Sequence, residues 1–194
     1  MSEEQRQIIE AALDEFAECG IPDTTLDSIA SRAGLAPGVV RALFVDKETL
    51  LKELLKEKTE PMVSAISLAV QEIEDPKELI RKSMGHLDRW LLMNPKVIKL
   101  YMQCSLDESE VMGRTFQQYL MPSELFDRLN QFQEEGRFRC GSVLEVMILL
   151  DSLILLLHLM RPGMMLNPDY SFEEIVQQRF DAAMDLLENG LYTD

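Results

Sequence analysis

Cysteine, histidine and positive charge are all scarce in this 194-residue chain, and each shortage argues against a class of function. Three cysteines, Cys19, Cys104 and Cys140, are odd in number and far apart, which argues against a disulfide framework and against a CxxC metal site. Buried, reduced thiols are expected instead. The two histidines, His86 and His158, lack ligand-type neighbours one helical turn away and read as structural, so no metal site is expected. Catalysis is not expected either. No HExxH, Walker loop, GxSxG elbow or GxGxxG is present, two histidines offer few acid–base groups, and no cofactor is implied.

Long uncharged apolar runs are also missing. The most apolar stretch, 142–160, is interrupted by Glu145, Asp151, Ser152 and His158, whereas spanning a bilayer takes about 20 largely apolar residues. No membrane span is expected. The first residues, MSEEQRQ, lack the basic-then-apolar order of a signal peptide, so a cytoplasmic location is expected. Basic residues number 19 against 34 acidic ones, a net charge of −15, which repels polyanionic partners at long range.

What is present is helix grammar, densest from Thr24 to Lys47. Thr24 and Thr25 follow Pro22 and Asp23, so a hydroxyl is available to cap a new helix, and Asp27 three residues after Thr24 completes a capping-box pattern. Leu26, Ile29, Ala30 and Ala33 then recur on one face at helical spacing. Gly34 stops that helix, Leu35 plugs the turn, and Pro37 suits the first turn of a second helix that continues through Val39, Val40, Leu43 and Phe44. Ala30, Gly34 and Val40 supply the small contact residue, the turn glycine and the branched lock that a helix-turn-helix demands. A preceding helix over 4–19 puts Ile8, Ile9, Ala12, Leu13 and Phe16 on one face, to pack on Ile29, Val40 and Phe44, before Gly20 stops it.

The run IIEAALDEFAECG, followed by TT, IA, AG, Gly38, Phe44, Lys47 and Leu50, resembles the DNA-binding end of the TetR family of transcriptional repressors from Ile8 to Leu51. That resemblance implies an all-α fold: an N-terminal three-helix helix-turn-helix domain over 1–47, then a larger helical ligand-binding and dimerisation domain over 48–194. It implies a homodimer on a double-stranded DNA operator, with Thr25, Pro37, Gly38, Val39, Arg41, Leu43 and Lys47 at the interface. In that role Arg41 contacts a guanine or a phosphate and Val39 a thymine methyl. Lys47 holds a phosphate, and Thr25 offers a hydroxyl or amide at a helix N-terminus. On this basis Arg41→Ala is expected to cost roughly 1–3 kcal/mol and to relax one base preference, and Lys47→Ala to weaken all sequences alike.

The segment departs from the family pattern where Ala36 replaces a polar cap, at Pro37, and near Arg41 and Leu43, where aromatic residues are usual. Few base-reading donors are left. Residues 1–58 carry 7 Lys/Arg against 12 Asp/Glu, whereas Thr24 to Lys47 sets Arg32, Arg41 and Lys47 against Asp27 and Asp46, a balance of +1. DNA binding is therefore expected to be weak or salt-sensitive.

Beyond the motif the pattern is helical throughout. Leu50, Leu51, Leu54 and Leu55 open a long run that Pro61 kinks or breaks and that Met62, Ile66, Ala69, Val70 and Ile73 resume. Pro76 and Pro95 open further helices, another stretch runs from about Glu108 to Glu135 with a break at Met121–Pro122, and two more end the chain. By resemblance, Val143–Met160 and Phe172–Leu191 form the dimer interface. Twelve methionines with scattered aromatics suggest an adaptable cavity, for which Trp90, Tyr101, Phe116, Met147 and Asp151 are the candidate lining and a small apolar or cationic molecule the candidate ligand. Asp151, a charge inside an apolar helix, needs a partner such as an Arg, a His or a cationic ligand. Two functions fit: a ligand-responsive dimeric transcriptional regulator, acting as a repressor, or a TetR-like helical dimer that has weakened or lost DNA binding and binds a small molecule or a protein.

Overall fold

The computed structural model describes residues 1–106, 122–137, 143–159 and 171–191, and every regular element among them is an α-helix. In chain order these are α1 (Glu3–Cys19), α2 (Leu26–Ala33), α3 (Pro37–Leu43), α4 (Lys47–Glu72), α5 (Pro76–Met93), α6 (Pro95–Leu106), α7 (Ser123–Glu134), α8 (Val143–Leu159) and α9 (Phe172–Leu191). The expected helical stretch between Glu108 and Met121 lies outside the described residues. The chain divides into two compact units, one built on Met1–Pro61 and Pro95–Leu120, the other on Met62–Asn94 and Met121–Asp194.

Helix ends follow local chemistry. Ser2 and Gln5 form a capping box at the start of α1, each side chain accepting from the other's amide. The box that opens α2 lies one residue later than the sequence pattern predicts. Thr25, not Thr24, is the cap, and Ser28, not Asp27, is its partner, with bonds of 3.0 and 3.1 Å. The reason is that the Thr24 hydroxyl donates to the Gly20 carbonyl at 2.7 Å and is buried where the chain leaves α1. Asp27 is thereby released from capping.

Gly34 ends α2 in the left-handed conformation (φ 68°), and the Leu35 amide reaches back to the Ala30 carbonyl. A Cβ at Gly34 would meet nothing within 4 Å, so glycine serves the backbone angle there and not the space. Pro37 opens α3 as expected. Asp46 accepts from the Thr49 amide at 2.7 Å and starts α4, which continues through Pro61 to Glu72. An interior proline costs about 3 kcal/mol. Burial of Leu54, Leu55, Met62 and Ile66 on either side of it offsets that cost.

In the first unit α1 packs on α2 and α6, and α2 on α3. Ile8, Ile9, Ala12, Leu13 and Phe16 are buried with Ile29, Val40 and Phe44, the head core the periodicity predicts, and Leu50 is buried as well. In the second unit α5 and α8 pack together, with α9 against both and α7 against α8. Leu79, Met84, Phe132, Met147, Ile154, Val176 and Phe180 are buried there. No helix among the described residues is long and apolar enough to cross a membrane.

Candidate nucleic-acid interface

Helix α3 buries one side chain, Val40, and turns the others outward. Pro37, Gly38, Arg41, Ala42 and Leu43 are exposed and Val39 is half-buried. A helix held by a single buried lock and otherwise open is the arrangement that lets a second helix of this motif enter a major groove. Thr25 is exposed at the start of α2, but its hydroxyl and amide are both engaged with Ser28.

The three cations of the positively balanced stretch all have partners in the head. Arg41 donates from Nη2 to both oxygens of Asp27, at 2.7 and 2.6 Å. Arg32 donates to Glu15 and to Glu18, each at 2.6 Å. Lys47 Nζ donates to the carbonyls of Ile21 (2.7 Å), Pro22 (2.9 Å) and Thr24 (3.2 Å), fastening the first turn of α4 to the loop between α1 and α2. Its partners are neutral, so the positive charge persists, but the ammonium's three protons already have acceptors. Hydrogen bonding from Arg32 holds the nearly covered Glu15 carboxyl below its ordinary value, against the opposing effect of burial, and the two acids raise the Arg32 guanidinium.

The candidate ligand residues are spread out. Trp90 on α5 and Met147 on α8 are buried in the second unit, whereas Tyr101 on α6 is half-buried in the first. Phe116 and the Asp151 side chain lie outside the described residues. An open cavity of about 530 Å³ in the second unit is lined instead by residues of α5 and α9, among them Gly85, Asp88, Arg89, Val176 and Phe180. Among the described residues of the second unit, Asp88 is a buried acid whose Oδ1 lies 3.0 Å from His158 Nε2 and accepts from Arg179 Nη2 at 2.8 Å. Of the cysteines, Cys19 is exposed, contrary to expectation, because it ends α1 on the side away from the core; the side chains of Cys104 and Cys140 are outside the described residues.

Two of these roles have a trace in the sequence. Asp88 falls on the apolar stripe of Met84, Leu87 and Leu91, and a charge at a core position signals a buried pair. Asp27 is freed from its capping role once Thr25 and Ser28 form the box. The pairing of Arg179 with Asp88, 91 residues apart, has no local signal.

Residues 8–54 match the model of the N-terminal region described as bacterial regulatory proteins, tetR family. The HTH-type transcriptional regulator BetI 1 of Chromohalobacter salexigens is 31% identical over 100 residues, 50% of this chain and 49% of that protein. The chain thus matches about half the length of that relative, or less for the others of its kind. Among solved structures, the fatty acid degradation regulator FadR of Bacillus halodurans superposes with a TM-score of 0.71 at 22% identity, covering 95% of this chain and 96% of that one. The TetR family transcriptional regulator PfmR of Thermus thermophilus gives 0.70 at 23%, covering 96% of each. At these identities the structural matches establish the shared fold. Residues 8–54, which hold the helix-turn-helix head, thus match the N-terminal region of the tetR family of bacterial regulatory proteins, and the chain as a whole shares the all-helical fold of these regulator structures.

Proposed function

We propose that this protein is a DNA-binding transcriptional regulator that acts as a dimer, represses, and is released by a small ligand. The observation that carries this reading is the outward face of α3: Val40 is fully buried while Pro37, Gly38, Arg41 and Leu43 face solvent beyond a glycine turn. Two such helices about 34–36 Å apart in a dimer would meet successive major grooves of a palindrome. The exposed apolar residues Ile148 and Leu149 on α8 and Leu186 on α9 support pairing through Val143–Met160 and Phe172–Leu191. The cavity between α5 and α9 supports a small ligand, and α4, which runs from the head into the second unit, would carry its effect.

The test is a gel shift on duplex DNA from upstream of the protein's own gene at two salt concentrations. Binding that weakens steeply with salt supports the reading; no binding at low salt overturns it. A second reading, a helical dimer that no longer binds DNA and instead binds a small molecule or a protein, is favoured by the carboxylates already paired with Arg32 and Arg41.

A further inference from the structure

Arg41 is the one cation in the sequence of α3, PGVVRAL. Its Nη2 is held by both oxygens of Asp27. A guanidinium has two edges that present paired donors, Nη1 with Nη2 and Nε with Nη2, and both require Nη2. Reading the O6 and N7 of a guanine uses one of these edges. Nη2 carries two hydrogens, one on each edge, so a carboxylate seated on Nη2 covers one paired edge of Arg41 and sets a negative charge beside the other.

The carboxylate is well placed to keep its hold. Asp27 lies in the first turn of α2, two residues after the Thr25 cap, where the positive end of the helix favours an acid. Because Thr25 and Ser28 close the capping box, no backbone duty competes for its oxygens. Its charge also stands beside the face that would approach phosphates, in a chain that is already acidic.

Resting on the DNA-binding reading above, we propose that Asp27 is a specificity-determining residue. It covers a base-reading edge of Arg41, so guanine recognition through that edge requires exchange of the carboxylate for the base, and the native protein reads guanine less sharply by the strength of the pair. Exposed pairs of this kind hold their partners by about 1.4- to 5-fold. A bidentate guanine contact discriminates by roughly 5- to 150-fold. The guanine contact therefore survives the exchange, and releasing Arg41 should sharpen the guanine preference by about 1.4- to 5-fold.

The experiment uses the full chain as wild type, Asp27→Asn, Asp27→Ser, Arg41→Ala and the Asp27→Asn/Arg41→Ala double variant. Thermal unfolding confirms that each is folded, and serine, an ordinary first-turn residue, stands in if asparagine perturbs α2. Fluorescence anisotropy measures binding to the duplex upstream of the gene and to a random-sequence duplex pool, and selection from that pool reads base preference. Asp27→Asn is expected to bind the pool about 1.4- to 5-fold more tightly per head and to select a guanine more strongly than the wild type by a similar factor. Arg41→Ala should cost more affinity in the Asp27→Asn background than in the wild type, and should abolish the guanine preference in both. Unchanged or weaker binding by both Asp27 variants, or an equal loss from Arg41→Ala in both backgrounds, overturns the masking role while leaving DNA binding intact. Failure of every folded protein to bind any duplex at low salt overturns the DNA-binding reading itself, and the masking role with it.

Discussion

Asp88 on α5 and His158 on α8 meet at 3.0 Å, although 70 residues separate them in sequence. The same carboxylate oxygen accepts from Arg179 on α9, so one acid ties three helices of the second unit together. The His158 side chain is completely buried and that of Asp88 is 10% exposed. Removing the acid strands two polar groups in an apolar setting. Asp88→Ala is expected to lose about 3–5 kcal/mol of unfolding free energy, measured by urea denaturation. Asp88→Asn, which keeps a hydrogen-bond acceptor but loses the charge, should lose less.

Arg32 links Glu15 and Glu18, and its hydrogen bond holds the Glu15 carboxyl below the ordinary 4.5. A depressed acid binds fewer protons folded than unfolded. Its contribution is therefore complete above the unfolded value and is lost as pH falls through the folded one. The midpoint of thermal unfolding should drop on acidification below about pH 4.5, and Glu15→Gln should flatten that drop. Asp46, lowered by the Thr49 amide that it accepts from, acts in the same direction, so the flattening will be partial.

Lys47 has a structural task in addition to any contact with phosphate. Its ammonium joins three loop carbonyls to the start of α4. Lys47→Met is expected to destabilise the protein by about 1–2 kcal/mol in chemical denaturation, as well as weakening binding to every duplex. Weaker DNA binding with unchanged stability would assign Lys47 to phosphate alone.

Ile148 and Leu186 are 56% and 74% exposed on α8 and α9. If those helices form the proposed dimer interface, the wild type should sediment as a dimer at micromolar concentration. The Ile148→Glu/Leu186→Glu variant should sediment as a folded monomer, because uncompensated charges at an interface core oppose association. A monomeric wild type would rule this interface out.

The all-helical architecture and the helix-turn-helix were legible in the residues because their signals are local. A proline that pre-sets a first turn, a glycine that accepts a positive φ and apolar residues three and four apart act within one or two turns, and the ends of α2, α3 and α5 follow them. Even at this range, competition between neighbours shifts the result: Thr24 and Thr25 are chemically equivalent in sequence, and only the Gly20 carbonyl decides which of them caps α2.

The amino-acid sequence alone determined where this chain coils, where it turns and which side chain locks α3 to its neighbours. Tertiary structure decided which charges remain free. It directs Arg41 to Asp27, Lys47 to the loop carbonyls, and Arg179 and His158 to Asp88. The physical reason is separation. Helix propensity and capping depend on residues a few positions apart, whereas these side chains find partners 14 to 91 residues away. Their partners exist only once packing has brought separate helices together.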